Sequence, residues 1–272
     1  MSINRIISLL ILFLLTACAD VPHTGRGNPW NFALLYQAEF PFTIDKCLYS
    51  PFHETIYISE KHSNLVHFYK NGRKFNTIGG SGPGNSSFMQ LSDIALTQDG
   101  KLLALDTTGK VIRKYDQDGK WIADLTLPEK VRALLLDVGK DGSIFYFDAE
   151  RGEIVQIDPF TYLEKSSFGK FHLFDPSHLI ITDNLVQIYE AVNNVSIIFS
   201  MMGKYLGSNP GYCQQTESDS IELIDNYLLE VGTGKRFFPS TERWEGFYLK
   251  NSYLILYSEH SLILALAVYE NK

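Results

Sequence analysis

Short β-forming runs separated by polar turns recur along most of the chain. In four places, a run of four or five apolar or β-branched residues ends on an acidic residue, and a polar turn then leads into a second run of the same kind. Successive acidic residues lie 46, 42 and 42 residues apart, at Glu60, Asp106, Asp148 and Glu190. No stretch after residue 35 has the period of about 3.6 residues that marks an amphipathic helix. The pattern therefore predicts an all-β domain built from repeated units.

The repeated unit has the length of one propeller blade. Units of about 40–45 residues that contain four short antiparallel strands are typical of β-propellers. Two weaker copies follow the first four, with Gly232 and Glu259 in the place of the acidic residue. Because these two positions are only 27 residues apart, the fifth unit is expected to lack about one strand. The sequence thus predicts a six-bladed β-propeller with a shortened fifth blade.

A propeller ring closes when the last blade is tied to the first part of the chain. Residues 36–44 (YQAEFPFTI) form a β run before the first full unit, and the last unit has room for only three strands. We expect 36–44 to supply the outer strand of the last blade, because closure removes the open strand edges that invite aggregation. The propeller domain is therefore predicted to span residues 36–272.

Residues 77–121 contain the most distinctive unit. The Gly-rich segment from Gly79 to Gly84 is followed by Phe88, by two β runs around Asp99-Gly100, and by a hairpin from Val111 to Gly119. This order resembles the NHL repeat, although Leu91-Ser92 stand where that family usually has a proline. The resemblance covers one unit well and the next in part. It implies a six-bladed propeller of the kind described in many bacterial lipoproteins.

The glycines of residues 77–88 (TIGGSGPGNSSF) also approach the spacing of a phosphate-binding loop. Asn85 replaces the lysine that such a loop needs, and residues 92–105 have the pattern of two strands rather than a helix. The formal net charge is -7, and no run of Lys and Arg occurs. Neither a nucleotide nor a nucleic acid is therefore an expected partner.

The beginning of the chain has the features of an export signal. Arg5 precedes an apolar run from Ile6 to Leu15, which is shorter than the roughly 20 residues of a membrane-spanning helix. Leu15-Thr16-Ala17-Cys18 resembles the lipobox of bacterial lipoproteins, and the alternative is an ordinary export signal with a chance cysteine. The resemblance implies removal of residues 1–17, acylation of Cys18 and a lipidated tether over residues 18–35. Because residue 19 is not Asp, similarity to Gram-negative lipoproteins implies a lipid anchor in the outer membrane of the cell envelope.

Ligands of propellers usually contact the face that carries the connections between blades and the turns between second and third strands. The acidic residues of the repeat are expected on this face, together with several residues at the start of each blade. The candidate ligand or ion face therefore contains Glu60, Asp93, Asp106, Arg132, Asp148, His178, Glu190 and Glu259.

The acidic residues have two interpretations. Six-bladed lactonases and related hydrolases hold a divalent metal in the central channel with carboxylates and amides, so similarity to them would imply Ca²⁺ or another hard cation. Alternatively, an acid after a strand accepts backbone N–H groups and starts the turn. Recurrence in four of the six units favours the structural role, because a catalytic site should break the symmetry. We predict no catalytic residue and no cofactor beyond this one candidate cation, and the metal remains unknown.

Two functions remain open at this point. The favoured one is a membrane-anchored, non-catalytic scaffold or binding lipoprotein that engages a protein, peptide or glycan through loops on one propeller face. The alternative is a metal-dependent hydrolase or lyase of the lactonase-like propeller type, with its site in the channel. The fold alone does not separate them, since one fold hosts many functions. A disulfide between Cys47 and Cys213 also remains open, since the sequence does not show whether they meet.

Overall fold

The computed structural model describes residues 30–82, 84–182, 184–215, 220–238, 240, 243–250 and 252–269. Within these residues, twenty-four strands form six antiparallel sheets of four strands, which are the blades of a ring. The prediction of an all-β, six-bladed propeller is confirmed. No helix in this part of the chain is long and apolar enough to cross a bilayer.

The strands are numbered in chain order, and the first, β1 (Trp30–Glu39), belongs to the last blade. The next four blades each run from an inner strand at the ring axis to an outer strand. The first blade contains β2 (Ile44–Ser50), β3 (Thr55–Glu60), β4 (Leu65–Lys70) and β5 (Arg73–Gly79). The second contains β6 (Leu91–Leu96), β7 (Leu102–Asp106), β8 (Val111–Tyr115) and β9 (Trp121–Thr126).

The remaining blades continue the ring. The third contains β10 (Ala133–Val138), β11 (Ile144–Asp148), β12 (Glu153–Ile157) and β13 (Glu164–Phe168). The fourth contains β14 (Pro176–Ile181), β15 (Leu185–Glu190), β16 (Val195–Ser200) and β17 (Tyr205–Pro210). The fifth contains β18 (Tyr212–Gln215), β19 (Ser220–Ile224), β20 (Tyr227–Glu230) and β21 (Arg236–Phe237). The sixth contains β22 (Gly246–Lys250), β23 (Tyr253–Tyr257), β24 (Ser261–Tyr269) and β1.

The hydrophobic core lies between neighbouring blades. Five clusters of buried apolar side chains fill the spaces between the sheets, for example between the second and third blades, where Leu105 and Ile112 pack with Leu136 and Tyr146. Second strands such as β7 and β11 are buried at every position because sheets cover both of their faces. This arrangement explains why their sequences are continuous apolar runs rather than alternating ones.

The ring is closed by the N-terminal strand, as predicted. β1 pairs antiparallel with β24 from Trp30 opposite Tyr269 to Glu39 opposite Ser261. The predicted limits of this strand, 36–44, are wrong, since β1 begins at residue 30 and Ile44 already starts β2. Residues 30–35 therefore belong to the propeller and not to the proposed tether. Residues 1–29, with the signal, Cys18 and the rest of the tether, lie outside the described residues.

The fifth blade is shortened, as predicted, but it does not lack a strand. Its four strands contain only 4, 5, 4 and 2 residues. The single residue Gly211 joins β17 to β18, with a φ of 81° that favours glycine. Because this connection is so short, the 42-residue period places Gly232 one turn too early, and the structure has it between β20 and β21.

The antiparallel strands divide the loops between two faces of the ring. One face carries the connections between blades (80–90, 127–132 and 169–175) and the turns between second and third strands (107–110, 149–152 and 191–194), and we call it the channel face. The opposite face, which we call the base face, carries the turns between first and second strands and between third and fourth strands, including 51–54, 71–72, 158–163 and 201–204.

Candidate functional site

Three of the repeated acids hold the loops of the channel face. Asp106, Asp148 and Glu190 are buried at the ends of second strands, and each accepts backbone N–H groups from the connection that enters its own blade. The distances are 2.9 and 3.0 Å for Met89 and Gln90 to Asp106, 3.1 Å for Arg132 to Asp148, and 2.6 Å for Phe174 to Glu190. These carboxylates therefore fix the positions of the connecting loops.

Three other predicted site residues lie apart from one another. Glu60 contacts His67 with Oε2 2.8 Å from Nε2. Glu259 is exposed on the sixth blade, where its Oε1 lies 3.5 Å from the Thr43 hydroxyl. Arg132 is exposed and forms an ion pair of 3.3 Å with Glu150. Of the eight predicted residues of the ligand face, Asp93 and His178 alone line the cavity described below.

A buried aspartate joins the inner strands of the second and third blades. The Asp93 carboxylate accepts the backbone N–H of Ile94 and that of Leu136, both at 2.7 Å, and Lys46 Nζ lies 2.8 Å from its Oδ1. Burial raises the pKa of Asp93, while the charge of Lys46 and these hydrogen bonds lower it. Lys46 Nζ also reaches the Leu136 carbonyl at 3.3 Å.

Asp137 repeats this arrangement between the third and fourth blades. Its carboxylate accepts N–H groups of Val138 at 2.8 Å and Ile181 at 2.7 Å. Two side chains of the sixth blade also reach it, the Tyr248 hydroxyl at 3.0 Å and Lys250 Nζ at 3.2 Å. The third and sixth blades are opposite each other in the ring, so this contact crosses the channel.

The fifth blade uses uncharged amides for the same purpose. The Gln214 side chain accepts the N–H of Leu249 at 3.0 Å and donates to the Leu249 carbonyl at 2.5 Å, which ties β18 to β22. Gln187 makes the matching pair of bonds with the backbone of Gln215, at 2.6 and 3.0 Å. Neighbouring inner strands are thus joined by side chains of either kind.

A cavity of about 200 Å³ opens on the channel face above these contacts. It is formed by residues at the start of the inner strands of several blades. Its polar lining includes Asp45, Lys46, Lys61, Ser92, Asp93, Ser177, His178, Tyr212, Glu245, Tyr248 and Tyr257. The volume suits one side chain or one edge of a sugar ring rather than a large cofactor.

His178 is a neutral side chain of this cavity. Burial, assisted by the positive charge of Lys46, lowers the pKa of His178 to about 4. Its ring lies 4.6 Å from that of Tyr212, which stacks in turn on Tyr189 at 4.6 Å with an angle of 11°. The Ser177 hydroxyl donates to the Tyr189 carbonyl at 3.0 Å, so this serine is held by the backbone beside the imidazole.

The tyrosines of the cavity are also held in their neutral form. Burial raises the pKa of Tyr212, Tyr248 and Tyr257 far above the ordinary value. The carboxyl of Asp45 lies at the rim, and the surrounding protein raises its pKa against the opposing charges of Lys46 and Lys61. The cavity therefore presents aromatic surface and neutral hydrogen-bonding groups beside one ion pair.

Exposed apolar side chains stand next to the cavity on the channel face. Phe171 and Phe174 lie in the connection before β14, and Val192 lies in the turn after Glu190, with exposures of 84%, 76% and 77%. The Glu190 carboxylate binds the backbone of Phe174 and the side chain of Asn193 at 2.9 Å, so it fixes both loops. The apolar side chains are therefore presented on a rigid frame.

Sequence reasoning missed several residues of the channel. Asp137 and Lys250 were not among the candidates, and neither were the cavity tyrosines. One signal was available, since Asp137 is an acid inside the apolar strand β10 (ALLLDV), where a buried charge needs partners. Cys47 and Cys213 belong to the inner strands of the first and fifth blades, and no disulfide joins them. Among the described residues, no three His, Cys, Asp or Glu side chains converge as metal ligands.

Comparison with known proteins agrees with this architecture. A family profile described as "6-bladed beta-propeller" matches residues 42–199, which is more than half of the chain. The chain belongs to this family. Curated protein sequences give no significant match. The closer resemblance to NHL repeats remains a prediction.

Several solved structures share the fold at low sequence identity. The virginiamycin B lyase of Staphylococcus aureus is 11% identical, with a TM-score of 0.59 over 88% of this chain and 100% of that chain. A gluconolactonase of Xanthomonas campestris is 11% identical, with a TM-score of 0.61 over 87% of this chain and 89% of that chain. At such identities the likeness concerns the fold of this six-bladed propeller and not its chemistry.

Proposed function

We propose that the protein is a lipid-anchored, non-catalytic binding module of the bacterial cell envelope, which engages a protein, peptide or glycan on its channel face. The observation that carries this proposal is the rigid apolar rim of Phe171, Phe174 and Val192 beside a cavity of neutral polar groups. Exposed apolar side chains next to a small polar pocket are typical of a recognition surface.

The charged groups of the channel support a binding role over catalysis. Asp93 and Asp137 already accept backbone N–H groups and lie against Lys46 and Lys250. A carboxylate that joins two strands has few lone pairs left for a metal or a reacting group, and its removal would disturb the ring. These acids are therefore assigned to the fold.

The cavity chemistry favours an uncharged polar group of the ligand. Neutral His178 and the non-ionised tyrosines offer hydrogen bonds and ring surface. An amide of a peptide or the hydroxyls of a sugar ring match such groups, because both hydrogen-bond without carrying charge and both pack on aromatic rings. The apolar rim would bind the adjoining part of the same ligand.

The membrane anchor in this proposal rests on Cys18. Growth of the producing cells with labelled palmitate should mark the wild type and not the Cys18→Ala variant. Equal labelling of the two proteins would refute the anchor. Fractionation of the labelled envelope would then test the proposed location in the outer membrane.

The ligand class is tested with arrays of oligosaccharides and peptides. The fluorescently labelled mature protein is compared with the Phe171→Ser/Phe174→Ser double variant, and Phe160→Ser/Met202→Ser serves as a matched control on the base face. We expect roughly tenfold weaker binding for the first variant, the loss expected for an interface anchor. Equal binding by both variants would contradict recognition through the rim.

The metal-dependent hydrolase or lyase is the other outcome of these measurements. Metal analysis of the purified protein and calorimetric titration with Ca²⁺ and Zn²⁺ address it directly. A stoichiometric metal whose binding is abolished by Asp93→Asn, in a variant that stays folded, would favour the enzyme. Absence of binding by either cation would favour the binding module.

A further inference from the structure

The base face also carries protruding apolar side chains. Met202, Phe160 and Leu163 have exposures of 94%, 87% and 68%, at the tips of the turns between the third and fourth strands of two neighbouring blades. Phe52, at the tip of a turn in the first blade, is 75% exposed. These residues pack against no blade, so the hydrophobic core does not account for them.

The turns that bear these side chains are internally bonded. Asp158 Oδ1 accepts the backbone N–H groups of Phe160 at 3.0 Å and Thr161 at 2.8 Å, and its own N–H donates to the Leu163 carbonyl at 2.9 Å. The turn that contains Met202 is closed by Gly203 N–H to the Ser200 carbonyl at 2.9 Å. Both tips are therefore held outward by their own backbones.

The N-terminal part of the chain joins the ring at the same face. Trp30 lies opposite Tyr269, at the base-face end of the sixth blade, while the other end of β1 leads to the channel face. Cys18 precedes Trp30 by twelve residues. Twelve residues span at most about 40 Å when fully extended, which is the order of one propeller diameter. A lipid on Cys18 would thus keep the base face within reach of the bilayer.

We propose that the base face rests on the lipid bilayer that holds the Cys18 anchor, with Phe160, Leu163 and Met202 inserted among the lipid head groups. This inference rests on the anchor assigned under the proposed function. Apolar tips at one end of a rigid ring touch a flat surface together, whereas a protein partner would be met by a continuous groove or patch. The channel face then points away from the membrane, toward its ligand.

The neighbouring charges favour the same orientation. Lys70, Arg73 and Lys74 are exposed at the turn between β4 and β5 on the base face. This turn belongs to the first blade, which adjoins the sixth blade where the chain enters. Basic side chains near a membrane are attracted to anionic head groups. Tyr162, half exposed beside Phe160, has the amphipathic ring that settles at a membrane interface.

The orientation is tested with fluorescent probes on both faces of the full-length lipidated protein. Met202→Cys and Phe160→Cys report on the base face, and Val192→Cys and Phe174→Cys are equally exposed controls on the channel face. Each is labelled with NBD under native conditions, in which Cys47 and Cys213 are buried. The proteins are reconstituted into phosphatidylethanolamine and phosphatidylglycerol vesicles, with and without doxyl-labelled lipid, and flotation is measured for the same proteins and for Cys18→Ala.

We expect the lipidated protein to float and the doxyl lipid to quench the probes at 202 and 160 several-fold more than those at 192 and 174. Equal quenching on both faces, or stronger quenching on the channel face, would overturn the proposal. So would probes at 202 and 160 that are shielded from aqueous iodide and from the lipid quencher alike, because a protein would then cover the base face. Flotation without quenching refutes the docking alone, and failure to float refutes the anchor and the docking with it.

Discussion

Lys250 of the sixth blade lies 3.2 Å from the carboxylate of Asp137 in the third blade, directly across the ring. The two residues are 113 positions apart in the chain. Asp137 is buried and also binds the backbone of two neighbouring inner strands, at Val138 and Ile181. The contact joins the opposite sides of the propeller through one carboxylate.

Loss of this carboxylate should be costly. Asp137→Ala would leave the buried N–H groups without their acceptor and Lys250 without its counter-charge, so we expect the free energy of unfolding to fall by about 3–5 kcal/mol. Urea unfolding followed by circular dichroism measures the change. The matched control is Glu150→Gln, which breaks the exposed pair with Arg132 and should cost less than about 1 kcal/mol. A similar cost for the two variants would show that the central contact is not structural.

The N-terminal boundary of the propeller can be tested by truncation. A chain that begins at residue 36 loses the contacts of Phe32, whose ring lies 4.9 Å from Phe237 and 5.7 Å from Phe238, and the bond of Asn31 to Lys235 at 2.6 Å. We expect it to unfold at a temperature at least about 5 °C below that of a chain beginning at residue 30. Differential scanning calorimetry compares the two, and equal melting temperatures would restore the boundary at 36.

His178 should make stability depend on pH. Its folded pKa of about 4 lies below the ordinary value of 6.5, so the unfolded chain takes up a proton that the folded protein refuses. Stability from this residue is therefore complete above pH 6.5 and is lost as the pH falls from 6.5 toward 4, by at most roughly 3 kcal/mol. Urea unfolding at pH 7.5, 6.0 and 5.0 should show a smaller loss for His178→Gln than for the wild type. Parallel curves for the two proteins would exclude this cause.

The repeated acids should differ in their effect on stability according to burial. Asp106 accepts three backbone N–H groups, from Met89, Gln90 and Gly109, so Asp106→Ala should destabilise the protein by about 3 kcal/mol. Glu259, which is exposed, should tolerate Glu259→Ala within about 0.5 kcal/mol. Thermal unfolding measures both. An Asp106→Ala variant that keeps its stability but loses ligand binding would instead assign Asp106 to the binding site.

The fifth blade shows where a repeat period stops being informative. The period of 42 residues reflects four strands and their loops, and it fails when one loop changes length. Gly211 replaces a connection of several residues by one, which moves Gly232 to a different turn. The number of blades could still be predicted, because each β run leaves its own signal whatever the loop length.

The channel face shows a different limit. Asp106 and Glu190 were found because they recur at equal spacing, and recurrence reflects a role shared by every blade. The residues that give the cavity its chemistry, such as His178 and Tyr212, do not recur. Nothing in their local sequence distinguishes them from other polar or aromatic residues in a strand.

The sequence by itself determined that the protein is an all-β ring of six blades closed by its N-terminal strand. Strand pattern and repeat length are local properties, and ring closure follows from the need to cover open strand edges. Only the tertiary structure decided that Lys46 meets Asp93, that Lys250 meets Asp137, and that the apolar tips divide between two faces. These contacts arise because closure brings the inner strands of distant blades to one axis, and distance along the chain carries no record of that convergence.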